Sequence, residues 1–296
     1  MTDRNKGILL MVLSSLFFAV MATLVKLSGD LPTMEKVFFR NVVGFTASGF
    51  IIWRSRGSFF GTDKKALLFR SFFGFLGLVF YFYAIDSLPL GNAVILNQMN
   101  PFFVLILAFL FLRERIVGSQ WVAIAIAITG VAFIVQPGGG YSLMPALVGL
   151  LSAVFAAAAY TVIRHLRLSD APQTIVFYFT GFTTLATIPF LVFGQFAMPN
   201  LNQLLALLGV GVTATAGQFL MTHAYRYCEA GDLSIYSYGN TVFATFLAVI
   251  IWGELPDSLS LFGIALVLTG AYINYNAKRE KSPQLECERE GREREQ

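Results

Sequence analysis

Amide, phenol and guanidinium groups stand inside long apolar stretches of this 296-residue chain. The candidates for binding are Arg40, Tyr81, Asn97, Gln98, Asn100, Gln218, Tyr236, Tyr238 and Asn240. An amide both donates and accepts hydrogen bonds, and a guanidinium pairs with carboxylate or phosphate. Polar groups in apolar segments usually face a cavity or a partner. These groups therefore suit recognition of a small polar molecule.

Two of these stretches carry their polar groups at matching places in an internal repeat. A shift of 140 residues, without a gap, aligns Asn100 with Asn240 and Gln98 with Tyr238. The same shift superposes the pairs Gly77 and Gly217, Ala84 and Ala224, Gly91 and Gly231, Glu114 and Glu254, Thr129 and Thr269, and Gly130 and Gly270. The matched asparagines fall near the middles of their segments. They either line a cavity or hold neighbouring helices together as buried polar contacts.

Pro101 follows Asn100 and removes a backbone donor inside its helix. The carbonyl near Asn97 is then left free. It either binds a ligand or is satisfied by Asn97 and water.

The remaining candidates lie in other segments. Tyr81 follows Gly77 by four residues and shares its helix face, and Gln218 stands beside Gly217. Arg40 lies about two turns inside its apolar run. It either contacts an anionic group, reaches the surface with its long side chain, or pairs with Glu35 or Asp30.

Catalysis, metal binding and cofactor binding find no support in the sequence. The two histidines, His165 and His223, both fall near the ends of apolar runs, and no Gly-x-Ser-x-Gly segment occurs. Cys228 and Cys287 are too far apart for a zinc motif. The glycine-rich segment at 136–141 lacks the Lys-Ser/Thr of a phosphate-binding loop. We predict no catalytic residue, no metal and no cofactor.

Composition assigns the chain to a membrane. It is 56% hydrophobic and 13% charged, whereas soluble domains carry about 25% charged residues. Ten runs are long enough to cross a bilayer as helices: 7–27, 33–53, 66–86, 91–112, 117–135, 145–165, 173–193, 202–224, 231–253 and 259–276. The net charge of +4 does not indicate nucleic acid, because the charges lie in short loops and a tail rather than on one basic face.

Lysine and arginine positions predict the orientation. With the N-terminus in the cytoplasm, 17 basic residues fall on the cytoplasmic side and one, Lys36, in an outer loop. Lys26 and Arg70 lie near span ends, where they are expected to reach the surface. We therefore expect a multi-pass protein of the cell inner (plasma) membrane with both termini cytoplasmic.

Five spans in each copy of the repeat have a topological consequence. Because five is odd, the second copy enters the membrane from the opposite side, as in many transporters. The predicted fold is an all-α polytopic membrane protein with ten transmembrane helices arranged as two inverted five-helix repeats. We place the repeats at 1–137 and 145–276, a linker at 138–144 and a disordered charged cytoplasmic tail at 277–296.

Several short segments resemble a known family. They are Phe39-Arg40-Asn41, Asn100-Pro101, Phe111 through Ile116, and Trp252-Gly253-Glu254-Leu255. Residues 7–276 resemble the EamA family of the drug/metabolite transporter superfamily. The resemblance implies transport of amino acids, nucleosides, vitamins, S-adenosylmethionine or related metabolites. It also implies a central cavity lined chiefly by the third, fourth, eighth and ninth helices, with the fifth and tenth at the periphery.

The expected mechanism is alternating access around a site near the bilayer midplane. No Asp or Glu lies near the centre of a span and no ATPase motif occurs, which favours a facilitator or exchanger. A proton-coupled exporter of drugs or toxic metabolites is the alternative, and an intramembrane enzyme is a remote one. The little fixed charge among the candidates suits a neutral, zwitterionic or aromatic solute. The expected partners are this small molecule and the lipid bilayer, with no nucleic acid. Direction of transport and a homo-oligomeric state stay open.

Overall fold

A computed structural model describes residues 3–112, 116–136, 143–166, 169–227 and 230–294. Every regular element in those ranges is a helix. The helices are α1 (Asp3–Leu27), α2 (Thr33–Arg54), α3 (Lys64–Ser87), α4 (Leu90–Asn97), α5 (Asn100–Leu112), α6 (Gly118–Val135), α7 (Leu143–Leu166), α8 (Pro172–Phe190), α9 (Leu201–Tyr227), α10 (Ala230–Ser237), α11 (Gly239–Trp252) and α12 (Ser258–Arg294). A π-helical turn, Leu191–Gln195, continues α8.

Ten membrane crossings account for these helices. In the described part of the chain, nine segments are long and apolar enough to span a bilayer, and two of them join α4 to α5 and α10 to α11. The tenth crossing is α2, whose first two turns carry Glu35, Lys36 and Arg40 and are therefore less apolar. The predicted all-helical, ten-span fold of two five-helix repeats is confirmed, and the chain is a multi-pass membrane protein.

The spans form a closed ring in which helices of the two repeats alternate. α1 packs on α9, α9 on α2, α2 on α8, α8 on α3 and α3 on α7, and the ring closes through α4, α5 and α11. α6 and α12 pack mainly against each other outside this ring. The third, fourth, eighth and ninth spans thus meet in one bundle, while the fifth and tenth are peripheral.

Equivalent glycines bring equivalent helices together. A Cβ at Gly77 would lie 3.1 Å from the backbone nitrogen of Ala156, so α3 and α7 approach closely there. Gly217 plays the same part between α9 and α1, where a Cβ would lie 3.2 Å from the Phe18 ring. The Gly217 carbonyl also accepts a hydrogen bond from Ser14 at 2.8 Å. Small residues permit this contact where lipid offers no hydrophobic driving force.

The orientation predicted from the lysine and arginine positions defines an outer and an inner end of the bundle. The predicted outer end contains the end of α1, the start of α2 and the ends of α3 and α11. The predicted inner end contains the segments 55–63 and 169–171. Helix α12 continues to Arg294 through the charged tail, for which composition predicts disorder. Glu, Lys and Arg are good helix formers, which is the local reason for a helix in this segment.

Candidate functional site

The fourth and ninth spans are both interrupted, and at equivalent residues of the repeat. α4 ends at Asn97 and α5 begins at Asn100; α10 ends at Ser237 and α11 begins at Gly239. The two interruptions touch, because the Gln98 side-chain amide donates to the Ser237 carbonyl at 2.7 Å. Interrupted helices in the middle of a bundle are the usual setting of substrate sites in inverted-repeat transporters.

The first interruption is held by its own amides. The Asn100 side chain donates to the Asn97 carbonyl at 2.9 Å, taking the place of the backbone donor that Pro101 lacks. The Asn97 side chain donates to the Ser152 hydroxyl of α7 at 2.9 Å. The freed Asn97 carbonyl is therefore satisfied by the side chain of Asn100 and not by its own side chain. The side chains of Asn97, Gln98 and Asn100, all predicted to bind the solute, are thus hydrogen-bonded within the protein.

The second interruption is held by α1. The Ser15 hydroxyl lies 3.1 Å from the Tyr236 carbonyl and 3.4 Å from that of Ser237. The Tyr236 ring packs near the predicted inner half of the bundle, against the cluster Met11, Met221, Ala224 and Leu233. Tyr238 is buried in the main core, and its hydroxyl has no hydrogen-bond partner.

Tyr81 and Asn240 face each other from α3 and α11. Both are buried, and neither the Tyr81 hydroxyl nor the Asn240 carbonyl oxygen makes a hydrogen bond of ordinary geometry. A buried polar atom without a partner costs about 1–3 kcal/mol. Such atoms are available to a ligand in a way that the engaged amides of the first interruption are not.

Arg40 is buried and pairs with neither of the acidic residues proposed from the sequence. One terminal nitrogen donates to the Asn41 side chain at 2.9 Å, and Nε has no partner. Glu35 accepts instead from the Ala197 backbone nitrogen at 3.1 Å. The Arg40 guanidinium carbon lies 5.5 Å from the centroid of the Phe179 ring. It therefore points into the bundle and not to the surface.

Arg70 is a functional candidate that sequence reasoning missed. The expectation that it reaches the surface is wrong, because only 4% of the residue is exposed. Its guanidinium carbon lies 3.9 Å from the Phe179 centroid, and Nε and Nη1 have no hydrogen-bond partner. The signal was Gly74, four residues later on the same face. A Cβ there would collide with Arg70 Nη1 and lie 2.8 Å from the Phe179 ring.

The two arginines share one environment in which no described carboxylate pairs with them. Arg40 and Arg70 interact electrostatically with each other and with Tyr160 of α7. In the described part of the chain, the carboxylates that form ion pairs are Glu254, Asp86 and Asp63, and none of them pairs with either arginine. A single arginine at the centre of a membrane helix costs about 2.5–3.5 kcal/mol on insertion scales. Two like charges side by side cost more.

Two ion pairs join helices at the predicted outer end. Lys26 of α1 lies 2.6 Å from Glu254 and 5.2 Å from the centroid of the Trp252 ring. Lys36 lies 2.6 Å from Asp86 and is fully buried. Two expectations are corrected here: Lys26 pairs with Glu254 rather than simply reaching the surface, and Lys36 belongs to α2 rather than to a loop.

A carboxylate organises the predicted inner end. Asp170, between α7 and α8, accepts from the Thr62 backbone nitrogen at 2.6 Å and from the Ser169 hydroxyl at 2.8 Å. Burial opposes the charged form, but these hydrogen bonds and one from the Asp63 backbone outweigh it and lower the pKa of Asp170. The carboxylate thus stabilises the turn that leads into α3.

Among the described residues, Gln218 and His223 make no hydrogen bond to either arginine. Gln218 is half-buried in α9. His223 is exposed, with Nδ1 2.9 Å from the Phe219 carbonyl. Glu114 and Cys228 lie outside the described residues. The structure therefore brings together Arg40, Tyr81 and Asn240 of the predicted set and adds Arg70, Tyr160 and Phe179.

A ring of eight spans with two more packed outside it, in which two interrupted helices touch and unpaired polar groups lie nearby, defines a multi-pass membrane transporter. The EamA-like transporter family model matches residues 5–136 and again 143–276. The chain belongs to this family, and it is a transporter and not an enzyme.

Named relatives agree with this assignment. The chain is 39% identical over 280 residues to the pseudopaline exporter of Pseudomonas aeruginosa, covering 93% of this chain and 98% of that protein. It is 28% identical over 280 residues to an uncharacterized transporter of Helicobacter pylori, covering 90% and 93%. It is 23% identical over 257 residues to an S-adenosylmethionine uptake transporter of Rickettsia bellii, covering 86% and 88%.

A solved structure shares the fold. A crystal structure of a protein with 17% sequence identity matches with a TM-score of 0.68, over 93% of this chain and 98% of that one. At this identity the likeness concerns the fold alone. Small-molecule transport across a membrane is thus established for the family to which this chain belongs, while the solute is not.

Proposed function

We propose that this protein carries a small organic metabolite by alternating access and binds it among Arg40, Arg70, Tyr81, Phe179 and Asn240. The observation that carries the proposal is the set of buried, unpaired polar atoms on Arg40, Arg70, Tyr81 and Asn240. They come from α2 and α3 of the first repeat and from α11 of the second. Polar groups inside a membrane bundle are retained where they bind something.

The helix interruptions support the proposal that the fourth and ninth spans bend at these points during the transport cycle. Gln98 and Ser237 join the two interruptions, and Asn100 holds the first one in place of a backbone bond. A side-chain bond at a helix break can be exchanged without unwinding a continuous helix. We assign Asn97, Gln98 and Asn100 to positioning these breaks, and we keep Gln218, Tyr236 and Tyr238 as expected lining residues of the pathway.

The conformation of the two ends supports alternating access. Lys26–Glu254 and Lys36–Asp86 tie helices together at the predicted outer end. We infer that this state is closed to the outside. The opposite state would break these pairs and close the predicted inner end, as expected for halves related by inversion.

Export is the direction we propose. The relative with 39% identity is named an exporter, whereas the uptake transporters among the relatives share 23%. Pseudopaline, the compound in that relative's name, is therefore the first compound to test. We further propose the cell inner membrane, with both termini in the cytoplasm, as the location.

The driving force is proposed to be the substrate gradient, by facilitation or exchange. One observation favours the proton-coupled alternative: Glu35 is fully buried in α2 and its Oε1 has no hydrogen-bond partner. A carboxylate in that position can carry a proton. If coupling to protons operates, Glu35→Gln removes the dependence of transport on an imposed pH gradient.

Purified protein in liposomes tests the proposal. We expect saturable uptake of labelled solute that is accelerated when unlabelled solute is loaded inside. Asn240→Ala should weaken uptake, and the lipid-exposed change Phe246→Ala should not. Flux that neither saturates nor responds to solute on the far side would indicate a channel and contradict alternating access.

A further inference from the structure

Two guanidinium groups from opposite directions converge on one aromatic ring. Arg40 lies about two turns from the start of α2 and Arg70 about two turns from the start of α3, and these neighbouring spans run antiparallel. Their guanidinium carbons lie 5.5 Å and 3.9 Å from the Phe179 centroid. The two carbons are therefore no farther apart than the sum of these distances, a gap that one small molecule can bridge.

Both guanidiniums keep donors that the protein does not use. Arg40 Nε, Arg70 Nε and Arg70 Nη1 are buried without a hydrogen-bond partner, and the two residues are 7% and 4% exposed. Arg70 makes no hydrogen bond or ion pair in the described part of the chain. Arginines that serve only to join helices would have their donors on backbone carbonyls or carboxylates.

The surroundings are built to keep these donors in place. Gly74 leaves room for the Arg70 head group and the Phe179 ring, since a Cβ at that position would collide with both. The Phe179 ring offers its face to both cations, a favourable contact that supplies no negative charge. Asn41 orients Arg40 by one bond and leaves Nε free. Within the part of the chain that the structure describes, the cluster thus presents two cations and no anion that pairs with them.

We propose that Arg40 and Arg70 together recognise a substrate that carries two anionic oxygen groups, such as two carboxylates. Each guanidinium binds one anionic group through paired donors, the geometry in which arginine exceeds lysine. The Tyr81 hydroxyl and the Asn240 carbonyl oxygen, nearby and unpaired, bind polar groups between the two anions. This inference rests on the proposed binding site, and it favours an anionic solute over the neutral or zwitterionic one that the sequence indicates.

The test uses purified full-length protein in detergent and a panel of probes. The panel contains glutarate, butyrate, butanamide and glycerol 3-phosphate, together with pseudopaline. Binding is measured as the ligand-induced rise in melting temperature. We expect glutarate to stabilise the protein at concentrations at least tenfold below butyrate, and butanamide to have no effect. A response to glycerol 3-phosphate and not to glutarate would show that the two arginines bind one phosphate group together, and it would overturn the proposal of two separate anionic groups.

Matched variants separate recognition from folding. Arg70→Gln and Arg40→Gln should each reduce the preference for glutarate over butyrate at least tenfold, and Arg70→Lys should restore it only in part. Arg54→Gln, the same change on an exposed arginine of α2, should leave it unaltered. Without ligand, Arg70→Gln should melt no lower than the parent, because it removes an uncompensated charge; a purely structural arginine would give a lower melting temperature.

The two proposals fail in different ways. Binding of glutarate that is lost in both glutamine variants, without solute movement in liposomes, would overturn the transport proposal and leave this inference standing. Transport of a neutral solute that survives both changes would overturn this inference and leave the transport proposal standing. Absence of any dianion among the stabilising probes also overturns the inference.

Discussion

The ammonium group of Lys26 lies 2.6 Å from the Glu254 carboxylate, so the end of the first span is tied to the end of the ninth. Glu254 Oε2 also accepts from the Leu90 backbone nitrogen at 3.4 Å, at the start of α4. One carboxylate therefore holds three helix ends from the two repeats. A negative charge at the C-terminal end of a helix is opposed by the helix dipole, and the ion pair with Lys26 compensates for this at the end of α11.

Breaking this pair should favour the state that is open at the predicted outer end. Lys26→Gln and Glu254→Gln should each lower the melting temperature and raise the reactivity of a cysteine placed at position 90 toward a membrane-impermeant maleimide. The double change should cost less than the sum of the single ones, with a coupling energy of about 0.5–3 kcal/mol. Strictly additive effects, with unchanged cysteine reactivity, would show that the pair does not hold the outer end.

The two matched asparagines should behave differently, although the repeat aligns them. Asn100→Ala leaves the Asn97 carbonyl unsatisfied and should destabilise the protein by about 1–3 kcal/mol. Asn240→Ala removes an oxygen that has no partner and should weaken solute binding with little loss of stability. Melting temperature and liposome uptake, measured on both variants, distinguish the two roles. The double variant should insert normally and fail to transport; normal transport by it would refute the site.

Pro101→Ala should slow transport by offering a regular backbone bond to the Asn97 carbonyl. The new donor competes with the Asn100 side chain and favours a continuous fourth span. We expect a lower maximal rate with an equal or higher melting temperature. Pro189→Ala, near the end of α8, is the matched control. It should leave the maximal transport rate unchanged. An unaltered maximal rate in Pro101→Ala would contradict a role for the break.

Asp170 gives a pH-dependent prediction at the predicted inner end. Because its folded-state pKa is lowered, its stabilisation is present above the unfolded value, about 3.9, and is lost as pH falls through the folded value. Asp170→Asn should therefore lower the free energy of unfolding at pH 7 by on the order of 1 kcal/mol, seen as a lower melting temperature. The difference from the parent should shrink as pH approaches 3. A constant difference across that range would exclude the charge as the cause.

The predicted topology can be checked with the two native cysteines. Cys228 and Cys287 are both expected on the cytoplasmic side. In intact cells neither should react with a membrane-impermeant maleimide, and both should react once the membrane is permeabilised. A cysteine at position 198, in the segment before α9, is the outward control. Labelling of Cys287 in intact cells would reverse the assigned orientation.

The sequence carried the fold because its signals are local or periodic. Length, apolarity and the 140-residue repeat define ten spans without any knowledge of contacts, since lipid requires each span to satisfy its own backbone. The structure adds that the fourth and ninth spans are broken at matching places of the repeat, since Gln98 and Tyr238 occupy the same register. Pro101 marks one break. The break before Gly239 has no proline and is seen only in the structure.

What only the tertiary structure decided is which polar side chains already have partners. The sequence grouped Asn97, Gln98 and Asn100 with Asn240 because all are amides within apolar spans, yet the first three bond to Ser152, Ser237 and a backbone carbonyl. Arg70 stands near a span end in sequence, but its side chain extends inward to Phe179. Composition and spacing determine that a charge lies in a membrane helix. The packing of other helices decides whether that charge reaches the surface, meets a carboxylate, or keeps its donors for a ligand.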